Sequence, residues 1–251
     1  MLLKRVTFTG IDSKTDLKRA IELALSCPFS VEYGVLVSET GAGLKPRYPE
    51  IELVKDIFTA FKNAGIPTAL HVCGSWSRKL LKGEDDLFQV LPASLGYQRL
   101  QWNINPPGKN PVQRAKWNVE GAAGVFQSQF FWKARAAQLI VQRHSENSVL
   151  LYAELERQGV PMAVLFDSSG GRGVVNDSWP APQGDYCGYA GGFSPENVRE
   201  RVKAMSEALP EGQEVWIDME SGVRGEGDYL DLDKVAAVLK HLTSLRAMTV
   251  Y

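Results

Sequence analysis

The stretch SENSVLLYAELERQGVPMAVLFDSSGGRG, residues 145–173, decides how the rest of the chain reads. Ser145 is placed to cap a helix that carries Leu151 and Leu155 on one face and stops at Gly159. Met162 to Phe166 follows as a short strand with no polar alternation, the pattern of a strand buried on both sides. A carboxylate, Asp167, comes directly after it, and then a loop with Gly170, Gly171 and Gly173. Helix, turn, buried strand and glycine loop form one unit of an alternating chain. Repetition of that unit implies right-handed crossovers and a parallel sheet.

The unit recurs in both directions. Downstream, Tyr189 and Ala190 run into Gly191 and Gly192, and Ser194 with Pro195 suits the start of a helix bearing Val198, Val202, Met205 and Leu209. Val215 to Met219 is the last strand, and Asp231 or Asp233 opens a helix lined by Val235, Val238, Leu239 and Leu242. Upstream, strands are expected at Val6–Thr9, Tyr33–Ser38 and Thr68–Cys73, and further ones near Arg99–Asn103 and Ala137–Gln142. Asp12 or Ser13 is expected to cap the first helix, and a second runs from Pro49 to near Gly65. Eight such units predict a single α/β domain over 1–251, a closed (β/α)8 TIM barrel rather than a doubly wound sheet. Residues 106–133, with PPGKNP and the FFW triplet at 130–132, show no clean period and read as an inserted loop region.

Composition narrows the function classes. A length of 251 residues suits one barrel, and 44% apolar with 23% charged residues excludes disordered, collagen-like and coiled-coil chains. The 28 basic and 29 acidic side chains give a net charge of −1, so neither nucleic acid nor an anionic membrane is expected as a partner. Cys27, Cys73 and Cys187 are too few and too scattered for a disulfide framework. With no signal-peptide pattern and no long apolar run, the expectation is a cytoplasmic protein, its oligomeric state left open.

Ligands of a parallel barrel meet the loops after the strand C-termini. Asp167 sits there, in a partly desolvated setting suited to a general acid, beside glycines that let backbone amides approach an anion. Gly191–Gly192 before a helix and Ser221–Gly222 after the last strand occupy the usual phosphate stations of barrels. His71 and Cys73 share one face of a strand, but two side chains do not make a metal site, and neither metal nor cofactor is expected. Asp228, Asp231 and Asp233 lack the spacing of a calcium loop.

From Asp167 onward the chain resembles phosphoribosylanthranilate isomerase, the tryptophan-pathway barrel. Matching stretches are Asp167 with the GGRG loop, Trp179, GYAGGFSPENV at 188–198, and IDMESGV at 217–223 followed by Asp228. A thinner match covers Lys45–Tyr48 and Val6–Ile11. The resemblance implies that Asp167 is the general acid of an Amadori-type aldose-to-ketose isomerisation. It also implies that Arg47 holds the substrate carboxylate, and that amides near Gly171, Gly191, Gly192, Ser221 and Gly222 hold its phosphate. Arg172 replaces the small residue usual in the glycine loop and adds a charge there. Asp218 matches a family aspartate to which no chemistry is assigned. Thr9 stands where the family carries its general-base cysteine, and a hydroxyl is far too weak a base alone. Cys73 is the substitute base to consider. Two expectations follow: an isomerase acting on a small phosphorylated substrate, or a diverged barrel that binds another phosphorylated ligand in a regulatory or binding role.

Overall fold

The computed structural model describes residues 1–128, 138–167 and 178–248. Eight parallel strands close on themselves in chain order: β1 (Leu2–Thr9), β2 (Ser30–Val37), β3 (Thr68–Val72), β4 (Arg99–Trp102), β5 (Gln138–Arg143), β6 (Met162–Phe166), β7 (Tyr186–Ala190) and β8 (Glu214–Met219). β8 closes the barrel against β1, with Thr7 opposite Asp218 and Phe8 opposite Met219. All eight expected strands are present, and β7 begins three residues before Tyr189. A closed parallel barrel with helices between its strands is the (β/α)8 fold, in a single domain.

Closure sorts the alternating residues of each strand into two environments. Outward-facing residues such as Val6, Phe8, Tyr33, Val35, Leu70 and Val72 pack under the helices in one continuous core. Inward-facing Ile140, Ala163, Leu165 and Trp216 form a separate, smaller cluster inside the barrel. The lower interior is polar as well. Glu32 on β2 is fully buried and accepts hydrogen bonds from Arg99 Nε at 2.9 and 3.0 Å, from Arg5 Nη1 at 2.8 Å and from Thr7 Oγ1 at 2.9 Å. Arg99 Nη2 also bonds Glu32, and the Arg99 guanidinium lies 4.5 Å over the Trp216 ring. Gly188 leaves space for that ring, since an added Cβ there would overlap it.

Several local expectations change. Asp16, not Asp12 or Ser13, caps the helix Leu17–Leu25, accepting from the Arg19 amide. Asp12 is instead buried and accepts from the Leu230 amide at 2.6 Å, tying the loop after β1 to the loop after β8. The helix after β7 begins at Val198 with Asn197 as its cap residue, one turn beyond Ser194. Ser145 caps the helix Glu146–Arg157 as expected, in a reciprocal box with Ser148. Asp231 is the cap of the last helix, Leu232–Met248, accepting from the amides of Asp233 and Lys234.

Within the stretch read as an insertion, residues 119–127 form a regular helix whose Val119, Ala122, Ala123 and Phe126 are buried, with Phe126 packed 5.2 Å from Trp102. That segment belongs to the outer helical layer, and the irregular part is the loop after β4 with its short helix Pro111–Arg114. The FFW triplet at 130–132 lies outside the described residues.

Removing one member of a buried ion pair strands the other charge, whereas replacing both by apolar groups is often neutral. Glu32→Gln should therefore destabilise the barrel by about 3–5 kcal/mol. A Glu32→Met, Arg99→Met double variant should recover most of that loss in urea or thermal unfolding.

Candidate active site

One cavity of about 320 Å³ opens at the C-terminal ends of the strands, and it gathers most of the residues singled out in the sequence. Thr9, Arg47, Cys73, Asp167, Gly191, Gly192, Ser221 and Gly222 all line it. Gly171 and Arg172 lie outside the described residues. His71, Gln101, Gln142, His144, Asp218 and Glu220 complete its polar wall. Each comes from the inward face of a strand or from the residues just beyond its end, so barrel closure alone brings them together.

Asp167, one residue past β6, is buried and accepts a hydrogen bond from Gln142 Nε2 at 2.6 Å. Gln142 is on β5, opposite Leu165 in register, so the strand pairing itself holds the amide against the carboxyl. Across the cavity Asp218 on β8 accepts from the Thr9 hydroxyl at 2.7 Å. Asp218 is buried, and burial pushes its carboxyl up to about 7, against the lowering influence of Thr9 and Arg99. Thr9 is therefore a donor to a carboxylate, at the position where the resemblance puts a base.

His71 lies deeper, fully buried, and neither ring nitrogen has a hydrogen-bond partner among the described residues. Burial pushes its imidazole down to about 3, which keeps it neutral at physiological pH. Gly34 makes room for it: a Cβ there would press on both the His71 ring and the Thr9 hydroxyl. Cys73 accepts from Asn103 Nδ2 at 3.5 Å, and burial raises its thiol to about 12. Burial thus favours the protonated thiol, which speaks against Cys73 as the substitute base.

Arg47 lines the cavity, but its guanidinium is engaged. Nε and Nη2 meet the two oxygens of Asp228 at 2.8 and 2.6 Å, and Nη1 meets Glu220 at 2.6 Å. This bidentate geometry is the one expected of Arg47 toward a ligand carboxylate, here satisfied by the protein's own acid. Glu220 is raised by burial despite Arg47.

The glycine loops interlock. Gly191 and Gly192 take positive φ of 101° and 70°, a region that L side chains avoid. Asn197 staples the loop, accepting from the Ser194 amide at 2.9 Å and donating to the Gly192 carbonyl at 2.7 Å. Gly222 packs so closely under the Phe193 carbonyl that a side chain there would overlap it. The two loops thus pack against each other and line the same cavity as Asp167 and Asp218.

The sequence puts Asp167 and these loops at the strand ends, and the structure brings them into one cavity. It assigns nothing to Asp218, His71, Gln101 or Gln142. A signal exists for Asp218. In IDMES (217–221), Asp218 and Glu220 fall two apart at the end of an apolar strand, hence on the inward face. Among the described residues no group of three His, Cys, Asp or Glu is arranged to hold a metal ion, and no helix is long and apolar enough to cross a membrane.

A family model described as N-(5'phosphoribosyl)anthranilate (PRA) isomerase matches residues 130–241. No curated protein matches the chain in sequence. Among solved structures, phosphoribosyl anthranilate isomerase from Thermus thermophilus is 21% identical with a TM-score of 0.56, covering 96% of this chain and 100% of its own. TrpF from Jonesia denitrificans is 18% identical with a TM-score of 0.58, and each chain is covered to 98%. D-psicose 3-epimerase, solved in the presence of D-fructose, is 15% identical with a TM-score of 0.53 and the same 98% coverage on both sides. At these identities the structural likeness speaks for the fold.

The raised Asp218 carboxyl has a consequence for stability. Its folded value of about 7 exceeds the reference 3.8, so between those values the native state holds a proton that the unfolded state has lost. This contribution is fully present below about pH 4 and is lost as pH rises through 7. Asp218→Asn should remove it, making the variant more stable than wild type at pH 8 by roughly 2–4 kcal/mol, with little difference at pH 4. Urea unfolding at the two pH values measures this.

Proposed function

We propose that this chain, a barrel of a phosphoribosylanthranilate isomerase-like family, catalyses an Amadori-type isomerisation of a phosphorylated N-ribosyl compound, the reaction named for its family model. The observation that supports this best is Asp167. It is a buried carboxyl at the end of β6, oriented by Gln142, in one cavity with the glycine loops of Gly191, Gly192 and Gly222.

These loops have the chemistry of a phosphate site. Tight glycine turns at the mouth of a barrel, the first of them leading into the helix Val198–Ala208, suit an anion that backbone amides can reach. A phosphate anchored there would leave the sugar ring over the carboxylates. Asp167 then donates a proton to the ring oxygen, the C1–O bond breaks, and the nitrogen lone pair forms the C1=N bond of an open-chain iminium. Phosphate binding supplies orientation and the buried carboxyl supplies the proton, so the first step needs only groups at this site.

A second reading has its own support in Arg47. Its ion pairs with Asp228 and Glu220 occupy the guanidinium that the isomerase reading assigns to a substrate carboxylate. A diverged barrel that takes a different phosphorylated ligand, without an aromatic acid, would have no need to release it.

The assay is direct: incubation with phosphoribosylanthranilate, following loss of its fluorescence. Turnover above the uncatalysed rate is expected for wild type. Asp167→Asn should lower kcat on the order of 10²–10⁴-fold while ribose 5-phosphate still competes at the wild-type concentration. No turnover at high enzyme concentration would favour the second reading.

A further inference from the structure

The isomerisation proposed above needs a group that removes a proton from carbon, and Asp167 has been assigned to giving one. The cavity offers few candidates. Thr9 is a hydroxyl, Cys73 a thiol that stays protonated, and His71 a buried imidazole with little affinity for a proton. Glu220 is engaged by Arg47 at 2.6 Å. His144, one residue past β5, stands beside Asp167 in register, and the geometry favours Asp218: a buried carboxyl on the inward face of β8, lining the cavity, with one oxygen oriented by the Thr9 hydroxyl at 2.7 Å.

We propose that Asp218 is the general base of this barrel and that Thr9 is its positioning residue. The proposal rests on the isomerase reading of the same site. In place of a nucleophilic side chain at position 9, the fold puts a hydroxyl that presents a carboxylate from the neighbouring strand.

The steps balance. After Asp167 has protonated the ring oxygen, the Asp218 carboxylate takes the proton on C2. The C–H electron pair becomes the C1=C2 bond, and the C1=N electrons return to nitrogen, giving a neutral enolamine. Return of the proton from Asp218 to C1, with the C2 hydroxyl proton passing to the Asp167 carboxylate, yields the ketose and restores both side chains.

The surroundings of Asp218 suit a base that works near neutral pH. Arg99 on β4 favours its charged form, while Glu32 on β2 and Glu220 beyond β8 oppose it, and burial opposes it most. Among the described residues, Asp167 and Arg47 are the other charged groups on the cavity wall, and Tyr48, His71, Cys73 and His144 its other titratable side chains. A base is strongest when its pKa lies close to the working pH.

The test uses the full-length protein with phosphoribosylanthranilate across pH 5–9. Asp218→Asn keeps the shape and the Thr9 contact, and it should lower kcat by on the order of 10³-fold with KM unchanged. Thr9→Val should retain turnover within about tenfold but move the acid limb of the kcat profile from near 7 to higher pH, because the lost hydrogen bond had favoured the charged carboxylate. Thr9→Ser, which keeps the hydroxyl, should return that limb to near 7. Circular dichroism confirms that each variant folds. The assignment is overturned if Asp218→Asn turns over within tenfold of wild type, or if Thr9→Val leaves the limb unmoved. Inactive wild type overturns the isomerase reading and this proposal with it, whereas active wild type with active Asp218→Asn overturns this proposal alone.

Discussion

A guanidinium and a carboxylate buried against each other, Arg99 and Glu32, form the charged centre of the barrel interior on which its polar network depends. Two charges in a closed, water-poor interior are costly unless each is satisfied by the other and by neighbours. Here Glu32 is satisfied by Arg99, Arg5 and Thr7, and Arg99 also lies over Trp216. Inward residues nearer the strand ends, among them Thr9, His71, Gln101, Gln142 and Asp218, line the cavity. The same Arg99 reaches Asp218 electrostatically, so the lower layer helps set the charge of the group above it.

The cavity divides its acids by environment, a general way for one fold to run acid and base chemistry together. Glu220 and Asp228 are spent on Arg47. Asp167 has an amide partner, Gln142, and Asp218 a hydroxyl partner, Thr9. On the proposed isomerase reading, Thr9, where the resembled family has a cysteine, leaves the base step to a carboxyl on β8 and serves to aim it. This also gives Thr9 a physical reason: a shorter serine would have more rotamer freedom, and the branched threonine is stiffer about χ1.

The barrel is legible in the sequence because its strands are buried on both faces, giving continuous apolar runs, and its helices carry clear apolar stripes. Phe166-Asp167 reads as a strand end with a functional acid for the same reason: a carboxylate directly after four apolar residues marks the point where the chain leaves the core for the barrel mouth. The polar interior is not legible. Glu32, Arg99 and Gln101 interrupt their strands in ways that resemble ordinary exposed positions, and only closure shows that they face inward. Helix caps are ambiguous where two candidates lie within a turn. The sequence reading puts the first cap at Asp12 or Ser13, but Asp12 is taken by the Leu230 amide and Asp16 caps the helix. The helix 119–127 is hidden because alanines and glycines dominate it, and its apolar face shows only when it meets Trp102.

If the proposed isomerisation runs at this site, a phosphorylated open-chain sugar lies between Asp167 and Asp218 with its phosphate on the glycine loops. A crystal structure with a non-isomerisable pentitol 5-phosphate bearing an amino group at C1 tests this. Phosphate oxygens are expected on backbone amides around Gly192 and Gly222, with C2 in contact with the Asp218 carboxylate and the C4 hydroxyl on Asp167. A phosphate bound away from those loops, or a sugar chain whose C2 lies against Cys73 with Asp218 out of reach, would contradict it.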